Sequence, residues 1–526
     1  MNFTPANRTI LLCGAALLAA GAWAIREHSS VAVLPFDDAF ITFRYVENLA
    51  HGAGLTYNPP IRVWGFTSPL YVFWLAGLHL VFSGIDLPTV AVRANVIFVL
   101  AAGIGALLLV HRYTGDLRVA CVAACVLLVH PSLLSISAGG MESVLFLSLL
   151  LFALLALTST RPVLAGGLIG LAFLARPEAV LLLPLALFRY RRAPRELLLL
   201  LLTAGIVAGA WLAFAAAYYH SILPLPIIAK NRPLYPLPPG HALGVIFGYL
   251  GPALLGQLPG ASLGRDLAVG GAIVVSTAAC VMSAPLRARQ AWMPGAFTML
   301  AVAFYGYGNP MFFEWYWPTL LGPTLIAVMV GGVAMAHLVA ARAAGTSLVS
   351  RASRTGVYWA VPVWVLLATV TAYGDNAGGH SRSIRFVDQD GTRLRILAYR
   401  KIGEDLTALT SGTGSVASPE VGALGFYYSG RMIDAAGLIS PEAIRFLPVP
   451  QDQRMGPAAG AISEDLVRST FPDWVVTLPI FAQNSLLQSA WFGKYYELKH
   501  TVPLPRICFD SVEVLVFKRR PPRIQE

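Results

Sequence analysis

The sequence predicts a polytopic α-helical membrane protein with a soluble C-terminal domain. Hydrophobic residues make up 56% of its 526 residues and charged residues only 12%, whereas soluble proteins carry about 25% charged residues. Long apolar runs recur through the first 373 residues, and a tail of ordinary polarity follows. We therefore expect a membrane domain over residues 1–373 and a soluble domain over residues 374–526.

Apolar runs of about 20 residues cross a bilayer as helices, and the runs in this sequence predict about 11 transmembrane helices. The first is interpreted as a retained signal anchor, with a cleaved signal peptide as the alternative. The short runs 163–175 and 177–188 can also form one broken hairpin. The predicted spans are 9–25, 90–110, 119–136, 143–158, 163–175, 177–188, 196–217, 266–284, 291–305, 318–340 and 356–373.

Arginine residues indicate the orientation, because cytoplasmic loops of membrane proteins are rich in Lys and Arg. With a cytoplasmic N-terminus, the Arg-rich loops all lie inside, provided that 68–83 and 243–257 lie in the outer interface. The tail then lies outside the inner (plasma) membrane of a bacterium. This topology also accounts for the formal charge of +11, so the sequence predicts no nucleic-acid partner.

The first outer loop, residues 26–89, contains the strongest candidates for chemistry. Asp37 and Asp38 precede a segment with apolar residues at helical spacing up to Ala50. Either carboxylate can cap this helix. Two adjacent carboxylates can also accept a proton from an attacking hydroxyl and orient it, as glycosyl transfer requires. Capping and catalysis both remain open, and they are compatible.

The loop carries Asp-Asp, Phe-Arg-Tyr, Asn-Leu, Gly-x-Gly-Leu, Asn-Pro and Gly-Phe-Thr-Ser-Pro-Leu in order over residues 37–70. This series resembles the first outer loop of GT-C superfamily glycosyltransferases, especially the branch containing the mycobacterial terminal arabinofuranosyltransferase. Trp64 departs from the acidic residue expected there, and Leu225-Pro226 departs from Asn-Thr. Shorter matches occur at 139–143, 175–178, 218–230, 313–318 and 422–438.

The resemblance implies a sugar donor carried on a polyprenyl phosphate and used at the outer face with inversion. One Asp would be the general base, and Asp37 is favoured over Asp38. Lys230 and Arg232 are candidates for holding the donor phosphate, since charge-assisted contacts suit a leaving phosphate. Interfacial snorkelling is the alternative for both cations. A divalent cation stays open, the metal is unknown, and no other cofactor is predicted.

Further candidate substrate contacts lie in the outer loops or at the outer ends of the predicted spans. Charges at a membrane face are costly and often functional. Helix capping, ion pairing and an interfacial aromatic belt are the structural alternatives. These candidates are Arg44, Tyr45, Glu142, Arg176, Glu178, Glu314, Trp315 and Tyr316.

The tail mixes helical and strand patterns, which predicts an α/β or α+β domain. A helix is expected over 392–409 and strands at 474–477, 495–498 and 512–517. The GT-C resemblance implies that this domain covers the active site. A purely structural cap is the alternative.

These features predict a membrane glycosyltransferase that moves a sugar, expected to be arabinofuranose, from a polyprenyl-phosphate donor. The acceptor would be a cell-envelope glycan or glycoprotein, with the lipid bilayer as the other partner. One alternative is a transporter or lipid flippase, which should show internal repeats and charges midway along its spans. Another is a non-catalytic assembly partner, which would not need the intact Asp pair.

Overall fold

The computed structural model describes residues 4–232, 236–255, 262–342, 348–374, 384–456 and 460–521. It is mostly helical, with several apolar helices followed by a sheet near the C-terminus. The helices of the first part are α1 Pro5–Ser30, α2 Asp37–Ala50, α3 Pro69–Val81, α4 Leu87–Ala94, α5 Val96–Thr114, α6 Leu117–Val129, α7 Pro131–Ser137, α8 Ser143–Leu157, α9 Pro162–Ala175, α10 Leu182–Tyr190, α11 Pro194–Tyr219, α12 Leu225–Lys230, α13 His241–Leu255, α14 Ser262–Met282, α15 Ala284–Ala288, α16 Met293–Gly308, α17 Trp317–Arg342 and α18 Leu348–Thr371.

Each predicted span coincides with a helix or with consecutive helical segments. In the described ranges, five stretches are long and apolar enough to cross a membrane, and the pair α6 and α7, bent by 49°, would make six. The bend falls at Pro131 because proline lacks a backbone N–H. The count of about 11 helices remains a prediction. The five stretches are Ala6–Ser30, Leu87–Thr114, Pro194–Tyr219, Gly264–Met282 and Glu314–Arg342.

Polar residues gather at the two ends of α8. Glu142 precedes this helix and pairs with Arg176 at 2.7 Å, whereas Arg112 donates to the Thr158 carbonyl just after it. Fifteen helical residues separate these two ends, a distance of about 22 Å. The candidates that the sequence places outside therefore lie far from Arg112, which the sequence places in the cytoplasm.

The tail forms a five-stranded mixed sheet in the described residues, with strand order β2-β1-β3-β5-β4. Strand β1 runs parallel to β2 and β3, while β5 is antiparallel to β3 and β4. The predicted helix and the three predicted strands fall in α19, β3, β4 and β5. The elements are α19 Gly391–Thr410, β1 Ser415–Ser418, α20 Ala423–Tyr427, β2 Arg431–Asp434, α21 Glu464–Thr470, β3 Trp474–Thr477, α22 Pro479–Ala482, α23 Ala490–Tyr495, β4 Tyr496–Cys508 and β5 Ser511–Arg519.

Arg44 of α2 connects the helical part to the tail. Its Nε donates to the Tyr57 carbonyl at 2.8 Å, and Nη1 donates to the carbonyls of Gly425 and Tyr428. Its Nη2 donates to the Gly430 carbonyl at 2.8 Å. The guanidinium, which offers five N–H donors, is buried by these contacts. Arg44 was expected to contact substrate; instead it holds the tail.

Neighbouring residues of the first loop extend this junction. Asn58 donates to the Met432 carbonyl at 2.8 Å and accepts the Met432 N–H at 3.0 Å. Tyr45, also expected at the substrate, is fully buried. Its hydroxyl donates to the Val63 carbonyl and accepts the Gly65 N–H. Tyr45 therefore shapes the loop that carries the junction, because its polar group is occupied by backbone.

We expect Arg44→Ala to destabilise the protein strongly, because it leaves several buried carbonyls without donors. Hydrogen bonds to charged groups contribute roughly 1.5–3 kcal/mol each, though not additively. The melting temperature of the purified protein should fall by about 5 °C or more. Arg62→Ala is the matched control, since Arg62 is exposed and only stacks over the Tyr218 ring. Equal melting temperatures for the two variants would contradict the docking role.

Candidate active site

Asp37 and Asp38 occupy the first turn of α2, but neither caps this helix. The N-cap residue is Phe36, and no side chain provides a capping bond. The Asp37 carboxylate instead accepts the N–H groups of Gly422 at 3.1 Å and Ala423 at 2.8 Å. These donors begin α20, where backbone N–H groups lack partners within the helix. The expected cap of α2 is therefore wrong, and Asp37 caps a tail helix.

Gly422 permits this close approach. A Cβ at this position would overlap the backbone of Asp37, so a larger residue would push the tail away from α2. Gly425 is similarly close to the Tyr57 hydroxyl, which donates to the Val421 carbonyl. The absence of side chains at both glycines therefore allows the tail to contact the first loop directly.

Asp38 is the open member of the acidic pair. Solvent reaches its side chain, and no hydrogen bond joins its carboxylate to another residue in the described ranges. Burial and the charge of Asp37 raise the pKa of Asp38 to about 7, against the attraction of Arg395 and Lys230. A carboxyl group with a pKa near neutrality is well suited to take up a proton at physiological pH.

The positive charge of Lys230, at the end of α12, acts to lower the pKa of Asp38. Its Nζ donates to the Tyr316 hydroxyl at 2.5 Å, and solvent reaches the side chain. Arg232 follows two residues later and is exposed. The structure thus brings Lys230 and Tyr316 together beside the acidic pair and leaves Arg232 on the surface.

Arg176 forms the centre of a buried ionic cluster. Its guanidinium contacts Glu142 and Glu178, each at 2.7 Å, and lies over the Tyr316 ring at 4.9 Å. The Tyr305 hydroxyl donates to Glu178 at 2.7 Å. Buried charges persist when they are paired and hydrogen-bonded. The ion pair expected between Arg176 and Glu178 is present, and it connects through Tyr316 to Lys230.

The tail contributes charged residues that the sequence analysis missed. Arg395 donates to Glu420 at 2.8 Å, and the Tyr399 hydroxyl donates to the other carboxylate oxygen of Glu420 at 2.5 Å. The charges of Arg395 and Glu420 both act on Asp38. The run Asp-Gly-Thr-Arg-Leu-Arg at 390–395 shows charges at a helix start, but no local pattern connects it to Asp38.

Aromatic rings border the site beside the acidic pair. Phe313 and Trp315 stack with their ring centres 4.6 Å apart, and the Trp315 ring lies 5.3 Å from that of Phe36. Glu314 lies 3.8 Å from the buried guanidinium of Arg393. The structure therefore brings Glu314 and Trp315 together with Phe36, the residue immediately before the acidic pair.

The carboxylates beside the first turn of α2 do not gather into a metal site in the described residues. The described residues bring together no group of three or more His, Cys, Asp or Glu side chains that could hold a metal ion. Both oxygens of Asp37 already accept backbone N–H groups. This arrangement does not fit a metal centre, and no chemical step is assigned to a metal.

Comparisons with known proteins identify the fold. ArnT from Cupriavidus metallidurans, solved bound to undecaprenyl phosphate, aligns over 96% of this chain and 97% of its own, with 15% identity and a TM-score of 0.57. The oligosaccharyltransferase AglB from Archaeoglobus fulgidus, solved with an inhibitory peptide and a dolichol-phosphate, aligns over 98% and 75%, with 15% identity and a TM-score of 0.51. The fold is that of the GT-C glycosyltransferases.

Sequence comparisons match only the tail of this chain to a known family. Residues 385–517 match a family described as a domain of unknown function (DUF8728). No curated protein matches the chain. At identities of 15%, these structural alignments show a shared fold.

The raised pKa of Asp38 predicts a pH-dependent stability effect. The unfolded pKa of Asp is about 3.9, so the stabilisation linked to protonated Asp38 is present at low pH and lost as pH rises to about 7. Asp38→Asn should therefore raise the melting temperature at pH 8 and have little effect at pH 4.

Asp37→Asn provides the contrast in the same thermal measurements. An amide has one oxygen for the two N–H groups of Gly422 and Ala423, so we expect a lower melting temperature at both pH values. Loss of stability in Asp38→Asn at pH 8, equal to that of Asp37→Asn, would contradict the division between an open and a docked carboxylate.

Proposed function

We propose that this protein is a membrane glycosyltransferase that transfers a sugar from a polyprenyl phosphate to a hydroxyl group of an acceptor glycan. The main support is the position of Asp38, an open carboxylate near the cation Lys230 and beneath the tail. The GT-C fold supports the same reaction class. ArnT and AglB were solved with lipid phosphates, which supports a lipid-linked donor here.

Asp38 is the proposed general base, in preference to Asp37, because the Asp37 oxygens bind the tail. The acceptor oxygen attacks the anomeric carbon and forms the new C–O bond. The bond from that carbon to the phosphate oxygen breaks, and its electron pair stays on the phosphate. Asp38 receives the hydroxyl proton. Attack opposite the leaving group inverts the anomeric centre.

Lys230 is the proposed partner of the departing phosphate, because a fixed cation stabilises the charge that develops there. Tyr316 holds its ammonium group, and Arg176 holds Tyr316 from the other side. Glu142 and Glu178 hold Arg176 in place through ion pairs. They are therefore proposed to position the phosphate site indirectly, through Arg176 and Tyr316. Arg232 is proposed as a second phosphate contact because it lies two residues after Lys230 in the sequence.

Arabinofuranose as the sugar, and a cell-envelope glycan or glycoprotein as the acceptor, complete the proposal. They rest on the series of short motifs over residues 37–70.

The proposed topology places the N-terminus in the bacterial cytoplasm, and the acidic pair and tail outside the inner membrane. It has about 11 membrane-spanning helices, and the segments 68–83 and 243–257 lie in the outer interface. The membrane domain ends at residue 373, and the soluble tail begins at residue 374. The separation of Arg112 from the Glu142–Arg176 end supports this arrangement.

A reporter fused after Glu526 tests the orientation. Alkaline phosphatase should be active there and a fluorescent protein that matures only in the cytoplasm should be dark, because the tail is proposed to lie outside. Fusions after Arg192, in a loop proposed to face the cytoplasm, serve as the control and should give the opposite signals. A fluorescent tail fusion would place the site on the wrong side for this reaction.

Asp38→Asn tests the catalytic proposal. We expect transfer from decaprenyl-phosphoryl arabinofuranose to an arabinan acceptor to fall by roughly 10²–10⁴-fold, the usual contribution of a general base. Wild-type kcat should rise with pH through about 7, because the ionised carboxylate is the active form. Asp405→Asn, at an exposed acid paired with Lys401, is the matched control. Wild-type rates in Asp38→Asn would refute the assignment.

A further inference from the structure

Arg393 of the tail is a buried cation that the proposed reaction does not use. Its side chain is fully buried, and Nη2 donates to the carbonyl and hydroxyl oxygens of Ser135. Its Nε and Nη1 atoms have no hydrogen-bond partner among the described residues. Because buried donors without partners cost free energy, these N–H groups favour an acceptor that the described residues do not supply.

The surroundings of Arg393 combine a carboxylate with aromatic faces. The guanidinium carbon lies 4.1 Å from the centre of the Phe36 ring. The Glu314 carboxylate lies 3.8 Å from Nη2, and the Trp315 ring contacts Phe36. Glu314 and Trp315 are partly exposed and Arg393 is buried behind them, so a ligand would approach from the side of Glu314 and Trp315.

This chemistry favours a neutral sugar over an anion. Sugar hydroxyl groups can accept from the guanidinium and donate to the carboxylate, while the C–H face of a sugar ring packs on an aromatic ring. A phosphate would meet the negative charges of Glu314 and Asp390, both of which act on Arg393. The Glu314 carboxylate therefore distinguishes the surroundings of Arg393 from those of Lys230.

The location points to the acceptor as the source of the sugar. Phe36 immediately precedes the acidic pair, and Arg393 lies two residues before Arg395 in α19. The charge of Arg395 acts on the pKa of Asp38. The acceptor hydroxyl must reach Asp38, so an acceptor sugar has to lie beside it. We propose that Arg393, Glu314 and Trp315 form a subsite for a neutral sugar of the acceptor glycan, built jointly by the tail and the membrane part.

This inference rests on the proposed function and specifies its acceptor, but direct binding tests it without turnover. Purified full-length protein is titrated calorimetrically with neutral hexasaccharides of arabinan, mannan and galactan, and separately with undecaprenyl phosphate. Arg393→Gln should weaken binding of the preferred hexasaccharide at least tenfold and leave undecaprenyl phosphate binding unchanged. Lys230→Ala should show the reverse. Arg400→Gln, an exposed change on the same helix, should alter neither.

Three results would overturn the subsite: no hexasaccharide binding by the wild type, unchanged binding by Arg393→Gln, or equal losses of saccharide and phosphate binding. Arg393→Lys should recover part of the affinity, which a purely structural arginine would not predict. If Arg393→Gln fails to fold, Trp315→Leu replaces it and should weaken saccharide binding alone. Wild-type transfer by Asp38→Asn would refute the proposed base without affecting this binding result.

Discussion

The junction between α2 and α20 is the contact on which the site depends. Asp37 binds the N–H groups at the start of α20, and Arg44 binds carbonyls at and beyond its end. A helix carries partial positive charge at its N-terminus and partial negative charge at its C-terminus. The Asp37 carboxylate therefore lies at the positive end of α20, and the Arg44 guanidinium lies at its negative end. Seven residues of α2 span about 10.5 Å, enough to reach both ends of the short tail helix.

Docking and reactivity are connected through adjacent residues. Asp37 is immobilised by the tail, so the backbone that carries Asp38 is fixed as well. The Asp37 charge also raises the proton affinity of its neighbour. The positive charges of Lys230, in the membrane part, and of Arg395, in the tail, lower the pKa of Asp38 and so oppose this effect. The raised pKa of Asp38 therefore results first from burial and then from the charge of Asp37, with charges of both parts acting on it as well.

Local sequence patterns predict the helices and three of the five strands because apolar spacing is a short-range signal. They also predict that Glu142, Arg176 and Lys230 lie at the same membrane face, because alternating spans define the topology. They do not reveal β1 and β2, which have four residues each. The contacts of Asp37 and Arg44 with the tail are not predicted, because their partners lie about 385 residues away, where no local pattern can identify them.

The separation of 385 residues between Asp37 and Gly422 has a consequence for biosynthesis. Ribosomes deliver the acidic pair to the membrane long before they make the segment that binds it. Until then Asp37 lacks the tail N–H groups that it binds in the folded protein. A chain interrupted before α20 carries the acidic pair without its tail partners. The order of synthesis thus makes the docking of Asp37 a late step in the assembly of the protein.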